Sequence, residues 1–292
     1  MALILPAIPK SVFLHSVKRR LRQQTYKRKN FPIYIFTHHK TGTVLATNVL
    51  KEISDFLGLK LCRVYGYCDE IPDGYDVVIF EHSLVSNKIL SSSFRGVHII
   101  RDPRNVLISG YQYHRHTEEL WCNTRPLAGT LPEHIKFPLV PYSREHKSPE
   151  WKKRYLEDLK GLSYKDNLKC LDTQKGLAFE LDRYASWTIE DMANWNYELD
   201  NVLEVKMEDI LKNYDEVFSN IFDHLGFTGK LREKALHIAQ SHDLNRMSAS
   251  EIKANKHIHS KNHSKRENLL DDEILKSFTE KYGETLKKLG YN

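Results

Sequence analysis

The sequence predicts an α/β protein with a single domain, in which helices flank a central parallel β-sheet. Short apolar runs bounded by turn residues recur along the chain, and most are followed by a stretch with an apolar residue every three or four positions. The first pattern is typical of a buried strand and the second of an amphipathic helix. Strands that alternate with helices favour a parallel sheet covered on both faces.

The predicted strands are short and rich in β-branched residues: 33–36, 59–64, 76–80, 96–100 and 201–205. A helix over about 44–57 follows the first strand, and another follows the fourth, from Pro103 to about His116. Proline suits the first turn of a helix because its missing N–H has no intrahelical partner there. Helical spacing returns over 177–195, and the C-terminal third is predicted to be mainly helical.

Two segments differ in composition from the rest. Residues 1–30 include a cluster of lysines and arginines. We assign them to a basic N-terminal arm, either a solvated lead-in or a surface for a membrane or a partner. Residues 117–175 combine five prolines with scattered aromatic residues, which predicts long loops and one short helix near 150–160. We therefore treat 31–292 as the domain and 117–175 as an insertion that serves as a wall or lid of its site.

Charge and cysteine content limit the class of protein. Lysine and arginine total 44 and aspartate and glutamate 38, so the net charge is +6. This small excess indicates an anionic small ligand and argues against a nucleic-acid-binding protein, which concentrates its charge more. Four cysteines are too few for a disulfide framework, which favours reduced thiols and a cytoplasmic location. No apolar run reaches the roughly 18 residues of a membrane span, and no signal peptide is expected.

The strongest chemical signal is the loop between the first strand and the helix that follows it. Its sequence is Thr-His-His-Lys-Thr-Gly-Thr, residues 37–43. Backbone N–H groups at the start of a helix point at a bound anion, and the helix dipole favours negative charge. Gly42 allows the backbone to approach a ligand closely, and Lys40 adds a positive charge. The loop is therefore predicted to bind phosphate.

The loop differs from that of most nucleoside triphosphatases. A Walker A loop has the pattern Gly-x-x-x-x-Gly-Lys-Ser/Thr. Here Lys40 precedes Gly42 by two positions, and no glycine stands at the earlier position. An NTPase is therefore disfavoured. A nucleotide-dependent kinase and a non-catalytic nucleotide-binding protein stay open as alternatives.

The loop resembles the 5′-phosphosulfate loop of sulfotransferases that use 3′-phosphoadenosine 5′-phosphosulfate (PAPS). Residues 96–115 resemble the 3′-phosphate motif of that family, in which an arginine ends a strand and a serine lies eight residues later; Arg101 and Ser109 match these positions. His82 matches the histidine that acts as catalytic base in cytosolic-type members. Residues 201–210 and 278–291 are similar to the late strand and the C-terminal helix of the family.

The resemblance implies a P-loop-like sulfotransferase fold and sulfuryl transfer from PAPS, with 3′-phosphoadenosine 5′-phosphate (PAP) as product. It implies that Lys40 stabilises the leaving phosphate and that His82 takes the acceptor proton. The donor-binding residues that it implies are Lys40, Thr41, Gly42, Thr43, Val44, Arg101, Ser109, Ser241, His242, Lys265 and Arg266. Histidine clusters at 114–116 and 257–263 lack carboxylate or cysteine partners at ligand spacing, so no metal is predicted.

The chain departs from the family pattern at the adenine site. Leu45 stands where cytosolic steroid and phenol enzymes have an adenine-stacking tryptophan, and His39 stands where many members have proline. We expect Ser241 and His242 to take part in holding the adenine, with the histidine ring replacing an aromatic one. The loop of basic residues and glycine that the family has near the 3′-phosphate lacks a clear Arg-Lys-Gly sequence here. We assign its role in binding the 3′-phosphate to Lys265 and Arg266.

The acceptor is expected to be a small polar molecule or a sugar that presents a hydroxyl or an amine. Residues 117–175 mix aromatic and charged side chains, more polar than a steroid or phenol pocket needs. We expect His39, Glu118 and Trp121 to contact the acceptor. Glu118 and Glu119, just past the predicted 3′-phosphate helix, favour a cationic acceptor, for example a guanidinium alkaloid of the saxitoxin kind. Such an acceptor would make the chain a bacterial-like enzyme of natural-product biosynthesis. Homo-oligomerisation is left open.

Overall fold

The structure is a computed structural model that describes residues 31–127, 129–248, 250 and 269–291. The predicted basic arm at 1–30 and the predicted donor-binding residues Lys265 and Arg266 lie outside the described residues. So does the histidine cluster at 257–263.

One parallel sheet organises the described residues. Its strands are β1 Ile33–Thr37, β2 Leu61–Val64, β3 Val77–Phe80, β4 Arg95–Ile100 and β5 Val202–Lys206. Their order across the sheet is β2-β3-β1-β4-β5, with every neighbouring pair parallel. The central strand β1 is buried along its whole length. The predicted α/β domain with a central parallel sheet is confirmed.

Helices cover both faces of the sheet. They are α1 Thr43–Leu57, α2 Asn87–Leu90, α3 Pro103–His114, α4 Leu120–Asn123, α5 Pro149–Asp158, α6 Tyr164–Cys170, α7 Thr173–Glu180, α8 Ser186–Ala193, α9 Met207–Lys212, α10 Tyr214–His224, α11 Gly229–Gln240 and α12 Asp272–Lys288. A π-helical turn, Leu181–Ala185, joins α7 to α8. Among the described helices, none combines the length and the apolar character that crossing a membrane requires.

Strand alternation divides the core between the two faces of the sheet. Ile35 and Ile79 lie on one face and pack in a cluster with residues of α1, α10 and α11. Phe36 and Phe80 lie on the other face and stack on each other with ring centroids 5.0 Å apart. Successive side chains of a strand point to opposite faces. The alternation therefore also determines to which face of the sheet the side chains just after each strand point, at its carboxyl edge.

The segment 117–175 is more helical than the sequence predicts. Beside the expected helix α5, it contains α4, α6 and two 3₁₀ turns, Pro132–His134 and Tyr142–Arg144. Helix α6 begins at a cap in which the hydroxyl of Ser163 accepts a hydrogen bond from the backbone N–H of Asp166 at 3.0 Å. A serine followed three residues later by an acidic residue is a helix-start signal that the proline content of the segment obscured.

We predict opposite effects on stability from two glycine substitutions. Alanine in a helix interior is normally favoured over glycine by about 0.5–1 kcal/mol. At Gly283 in α12 the nearest atom to an added Cβ is 3.8 Å away, so Gly283→Ala should gain that amount. At Gly110 in α3 the Cβ would lie 2.6 Å from a carboxylate oxygen of buried Glu180, so Gly110→Ala should destabilise by about 1–3 kcal/mol.

Urea unfolding of both variants beside the wild type gives the comparison. The matched variant Gly283→Ala controls for helix propensity. A gain in the free energy of unfolding for Gly110→Ala would contradict the packing of Glu180 against α3.

Candidate functional site

The predicted phosphate loop lies between β1 and α1, at the carboxyl edge of the sheet. Its shape is fixed by hydroxyls: Thr41 Oγ1 accepts from the backbone N–H of His38 at 2.8 Å and donates to the carbonyl of His38 at 3.0 Å. The hydroxyls of Thr37 and Thr43 are 2.8 Å apart and close the loop across its base. Thr41 and Thr37 are fully buried, so these hydroxyls build the loop and do not face solvent.

Two residues of the loop have a positive φ, and one of them is not glycine. Gly42 has a φ of 119° and precedes the first residue of α1, whereas Lys40 has a φ of 63°. A side chain in the left-handed region persists only where the surroundings hold it, and such residues cluster at functional sites. The carbonyl of Lys40 accepts a hydrogen bond from Arg101 Nη1 at 2.9 Å. Arg101, predicted to bind the 3′-phosphate, therefore also braces the loop.

Helix α1 begins without a side-chain cap, and its first intrahelical bond runs from the N–H of Ala46 to the carbonyl of Gly42 at 3.0 Å. The N–H groups of Thr43 and Val44 in the first turn therefore point toward the loop, where an anion can accept from them. The ammonium of Lys40 lies 4.0 Å from the ring centroid of Tyr113, a cation–π contact that keeps the charge beside this helix start.

His82 follows β3, next to the loop. Its Nε2 lies 3.3 Å from the hydroxyl of Tyr184, which in turn lies 3.2 Å from Ser143 Oγ. Tyr184 belongs to the π-helical turn, a type of turn frequent at functional sites. Burial, and then the positive charge of Arg144, lowers the pKa of His82 to about 4, so its imidazole is neutral at neutral pH. Glu81, beside it, instead hydrogen-bonds Arg63 at 2.7 Å.

His39 stacks on His114, with ring centroids 4.8 Å apart and planes 6° from parallel. His114 is fully buried, and its Nδ1 lies 3.0 Å from both carboxylate oxygens of Glu180. Burial, with the charges of His114 and Lys40 as further causes, lowers the pKa of His39 well below its usual value. His39 thus presents a neutral ring beside Lys40, at the position predicted for acceptor contact.

The two other residues predicted to contact the acceptor lie elsewhere. Glu118 pairs with Lys165 at 2.6 Å, and its side chain is otherwise exposed. Trp121 is buried, stacks behind Tyr184 and donates through Nε1 to Glu119 at 2.6 Å. Glu118 is thus held at Lys165, and Trp121 lies behind Tyr184, the residue whose hydroxyl is 3.3 Å from His82 Nε2.

Glu119, which the sequence offers together with Glu118 for a cationic acceptor, is held by two side-chain hydrogen bonds. One carboxylate oxygen accepts from Trp121 and the other from the hydroxyl of Tyr113 at 2.6 Å. Burial raises the pKa of Tyr113, and the hydrogen bond and charge of Glu119 raise it further. The charge of Glu119 also acts on the pKa of His82, where it opposes the lowering by burial and by Arg144. Glu118 and Glu119 are neighbours of one type in the sequence, so only the turn before α4 determines which of them faces the site.

The remaining described residues that were predicted to bind the donor lie on two other helices, α3 and α11, or just after them. Ser109 is half-buried in the middle of α3, the helix that follows Arg101. Ser241 Oγ donates to the carbonyl of Ile238 at 2.7 Å at the end of α11. His242 lies 3.1 Å from a carboxylate oxygen of Glu52, seven residues after Leu45 on α1. Seven residues span about 10 Å of helix, so His242 meets α1 about 10 Å further along the helix than Leu45. Ser241 and His242 therefore stay candidates for the outer part of the nucleotide site.

No group of three or more histidine, cysteine, aspartate or glutamate side chains suited to a metal occurs within the described ranges. His114, one of the histidines that the sequence offered for such a site, is engaged by Glu180. The buried imidazoles of the site therefore have other neighbours: aromatic rings, carboxylates and each other.

Comparison with known proteins gives two matches. A family model described as "Sulfotransferase domain" matches residues 78–290, most of the chain, and includes His82, Arg101 and Ser109. The crystal structure of mouse sulfotransferase SULT7A1 complexed with PAP superposes with a TM-score of 0.51 at 16% sequence identity, over 91% of this chain and 89% of that one. That identity is low enough that this second likeness concerns the fold alone. A search of curated proteins found no match.

We predict that the hydroxyl of Thr41 is needed for the stability of the loop. Thr41→Val keeps the side-chain shape but leaves the buried N–H of His38 without its acceptor, which should cost about 1–3 kcal/mol. Urea unfolding measures the loss. Thr279→Val, at an exposed position of α12 where the hydroxyl bonds only within its own helix, is the matched control. Equal small effects in both variants would refute the role of Thr41.

Proposed function

Because this chain belongs to the sulfotransferase family, we propose that it transfers a sulfuryl group from PAPS to a hydroxyl or amine of a small polar or sugar acceptor. The donor is PAPS, and the nucleotide product is PAP. The observation that supports the proposal most is the Lys40 loop: its left-handed lysine is held by Arg101 beside an uncapped helix start, and His82 follows the next strand.

On the donor side, the chain offers charge and N–H groups to the leaving phosphate. Sulfuryl transfer, like phosphoryl transfer, depends mainly on positioning and electrostatics. Lys40 and the first-turn N–H groups of α1 are the donors that would stabilise negative charge as it grows on the 5′-phosphate. Arg101 donates to the loop, and its guanidinium, together with the hydroxyl of Ser109, is the proposed ligand of the 3′-phosphate.

On the acceptor side, His82 is the proposed base. Its lowered pKa keeps the ring neutral and able to accept a proton throughout the physiological range. The hydrogen bond to Tyr184 orients the ring, and Ser143 holds Tyr184 from behind. Acceptor deprotonation by His82 as the acceptor oxygen attacks sulfur completes the transfer.

The surroundings of His82 favour a polar acceptor that contains a ring. Tyr65 and Tyr142 are 43% and 41% exposed and lie with ring centroids 6.0 Å apart, and Phe137 stacks on Tyr142 at 3.8 Å. These faces adjoin Ser143, the residue after Tyr142. Their partly exposed rings suit stacking with a sugar or an aromatic ring. Of the two adjacent glutamates, Glu118 is paired with Lys165, so Glu119 beside Tyr113 is the proposed carboxylate for a cationic acceptor such as a guanidinium alkaloid of natural-product origin.

A ligand panel tests the class. The melting temperature should rise with PAPS and with PAP and stay unchanged with ATP. A kinase would instead show a higher melting temperature with ATP. A non-catalytic nucleotide-binding protein would bind PAPS but transfer no sulfuryl group. Labelled PAPS is then incubated with a phenol, an amino sugar and a guanidinium alcohol. Binding of ATP but not of PAPS would refute the proposal.

We predict a separation between donor-side and acceptor-side variants. Arg101→Ala and Ser109→Ala should weaken PAPS binding, since each lost charged hydrogen bond contributes roughly 1.5–3 kcal/mol. His82→Ala should leave PAPS affinity unchanged and lower kcat by about 10²–10⁴-fold. Lys40→Ala should lower kcat by a comparable factor and weaken PAPS binding as well. Ser277→Ala, on the exposed face of α12, is the control for Ser109→Ala.

Donor titration and single-turnover transfer on the same preparations measure the two effects separately. Unchanged PAPS affinity in both Arg101→Ala and Ser109→Ala would show that these two residues do not bind the 3′-phosphate of PAPS. Near wild-type turnover of His82→Ala would move the base to another residue.

We predict that the reaction stays active well below neutral pH. A base acts in its neutral form, which is present above its folded-state pKa and lost as the pH falls through that value. Burial lowers the pKa of His82 to about 4, so kcat/KM should hold between pH 8 and pH 5.5 and fall only near that lower value. A pH profile whose acid limb is centred near 6.5, the usual pKa of histidine, would contradict the buried environment of His82.

A further inference from the structure

One carboxylate, that of Glu119, is bound by two aromatic side chains that lead in different directions. Its Oε1 accepts a hydrogen bond from the hydroxyl of Tyr113 at 2.6 Å, and its Oε2 accepts from Nε1 of Trp121 at the same distance. The three residues come from α3, from the turn after it and from α4. Hydrogen bonds to an ionised carboxylate are shorter and stronger than those between neutral groups. Glu119 is therefore the common end of two arms, the Tyr113 arm and the Trp121 arm.

The Tyr113 arm ends at Lys40. The Lys40 ammonium lies 4.0 Å from the centroid of the Tyr113 ring. A cation is attracted to the electron density on the face of a ring, and a phenol that donates its proton to a carboxylate gains such density. The ring itself carries no net charge, so this contact positions the ammonium without neutralising it as a carboxylate would. Glu119 thus acts on Lys40 through the ring of Tyr113.

The Trp121 arm ends at His82. The Trp121 ring is buried and stacks on the Tyr184 ring, with centroids 5.0 Å apart and planes at 27°. The hydroxyl of Tyr184 lies 3.3 Å from His82 Nε2. Aromatic rings that stack in a packed interior restrict each other's rotation. The orientation of Trp121, which Glu119 holds, is therefore transmitted to the hydroxyl that orients His82.

The backbone around Glu119 is held independently of the two arms. Its N–H donates to Thr117 Oγ1 at 3.3 Å, and its carbonyl accepts from Asn123 Nδ2 at 2.8 Å. Lys165 Nζ, from α6, donates to the carbonyl of Thr117 at 2.8 Å and pairs with Glu118 at 2.6 Å. Removal of the Glu119 carboxylate alone should therefore leave the turn before α4 in place and release the two arms.

Burial of Trp121 by itself does not require a carboxylate at position 119. A buried indole N–H needs one acceptor, and a glutamine oxygen would provide it. The glutamine NH₂ group would then face Tyr113 and reverse that hydrogen bond, because the indole of Trp121 has no acceptor. A carboxylate accepts from both aromatic residues at once, and its negative charge raises the electron density on the Tyr113 ring. The residue type therefore fits the two contacts together.

We propose that Glu119 is a positioning residue for both catalytic groups, a proposal that rests on the proposed function. Through the Tyr113 arm it holds Lys40, and through the Trp121 arm it holds His82. In-line transfer requires the attacking oxygen, the sulfur and the leaving oxygen to be aligned. A common anchor for the groups that act at the two ends keeps that alignment. Contact with a cationic acceptor is compatible with this role, because a carboxylate oxygen accepts more than one hydrogen bond.

Proton NMR tests the Tyr113 arm without an activity assay. The ring current of Tyr113 should shift the ε-methylene protons of Lys40 to high field, and the signal missing from Lys40→Arg identifies them. Glu119→Ala should reduce that shift in the full chain, because the ring is released. Glu190→Ala should leave it unchanged; Glu190 is an exposed glutamate of α8 whose carboxylate accepts from Ser186. An unchanged Lys40 shift in Glu119→Ala would overturn the proposal.

Single-turnover hydrolysis of labelled PAPS tests each arm, with water as the acceptor because water offers no cation to Glu119. Tyr113→Phe removes the hydroxyl of one arm, and Trp121→Phe removes the N–H of the other and keeps an aromatic ring. Each should lower the rate by roughly 3- to 30-fold, less than the roughly 10²-fold minimum for loss of a general base. Tyr282→Phe is the matched control: its hydroxyl has no partner within the described residues, and Lys281 lies 5.2 Å from its ring.

Double variants separate positioning from a general structural effect. If Tyr113 acts through Lys40, Tyr113→Phe should have no further effect on the rate in Lys40→Ala. Likewise, Trp121→Phe should have no further effect in His82→Ala. The effects of residues that act as one unit are not additive. A loss by the same factor in both backgrounds would mean a structural role only and would overturn the proposal.

Glu119→Ala combines the losses of both arms, whereas Glu119→Gln keeps an acceptor for Trp121 and should retain more of the rate. A wild-type hydrolysis rate in Glu119→Ala overturns the positioning role and leaves the proposed function intact. Failure of the wild type to bind PAPS, or full activity of His82→Ala, instead contradicts the proposed function. The two failures are thus distinguishable in one set of variants.

Discussion

The hydrogen bond from Arg101 to the carbonyl of Lys40 is the contact on which the site depends. It joins the end of β4 to the loop after β1, the two strands that are neighbours in the centre of the sheet. The left-handed backbone of Lys40 turns the chain into α1 and leaves the helix start free of any side-chain cap. The same guanidinium is predicted to meet the far phosphate of the donor. If Arg101 binds that phosphate as proposed, one buried side chain determines the shape of the loop and also recognises the nucleotide.

Burial decides the chemistry of the histidines. His38, His39, His82 and His98 all have lowered pKa values, and in each case desolvation is the first cause. Neutral imidazoles provide lone pairs and N–H donors without adding charge beside Lys40. A charged histidine here would repel the ammonium and compete with it for the donor. The positive charge of the site is therefore carried by Lys40, Arg101 and Arg144, the last of which is paired with Asp191.

The sequence predicted the parts of the fold and site that are local. The five strands, the phosphate loop and the positions of Arg101 and His82 follow from runs of a few residues, because each is read from its own turn, glycine or strand end. Tyr184 and the hydrogen bond between His38 and His98 were not predicted, because neither is defined by a local pattern. Tyr184 reaches His82 from a turn 102 residues later in the chain, and the two histidines meet through strand register across the sheet. The sequence named Glu118 and Glu119 together, and only the turn before α4 pairs Glu118 with Lys165 and Glu119 with Tyr113. Lys265 and Arg266 lie outside the described residues, so their role in donor binding stays a prediction.

The π-helical turn at Leu181–Ala185 has a consequence for how the site and the core relate. A π turn holds about one residue more than an α turn, and one residue of α-helix corresponds to a rotation of about 100°. With this turn, the ring of Tyr184 packs in the same apolar cluster as Ile189 and Met192 of α8, while its hydroxyl lies 3.3 Å from His82 Nε2. Deleting one residue of the turn would rotate Tyr184 by about 100° relative to α8 and would separate the hydroxyl from His82. The extra residue therefore lets one side chain serve the core and the site together.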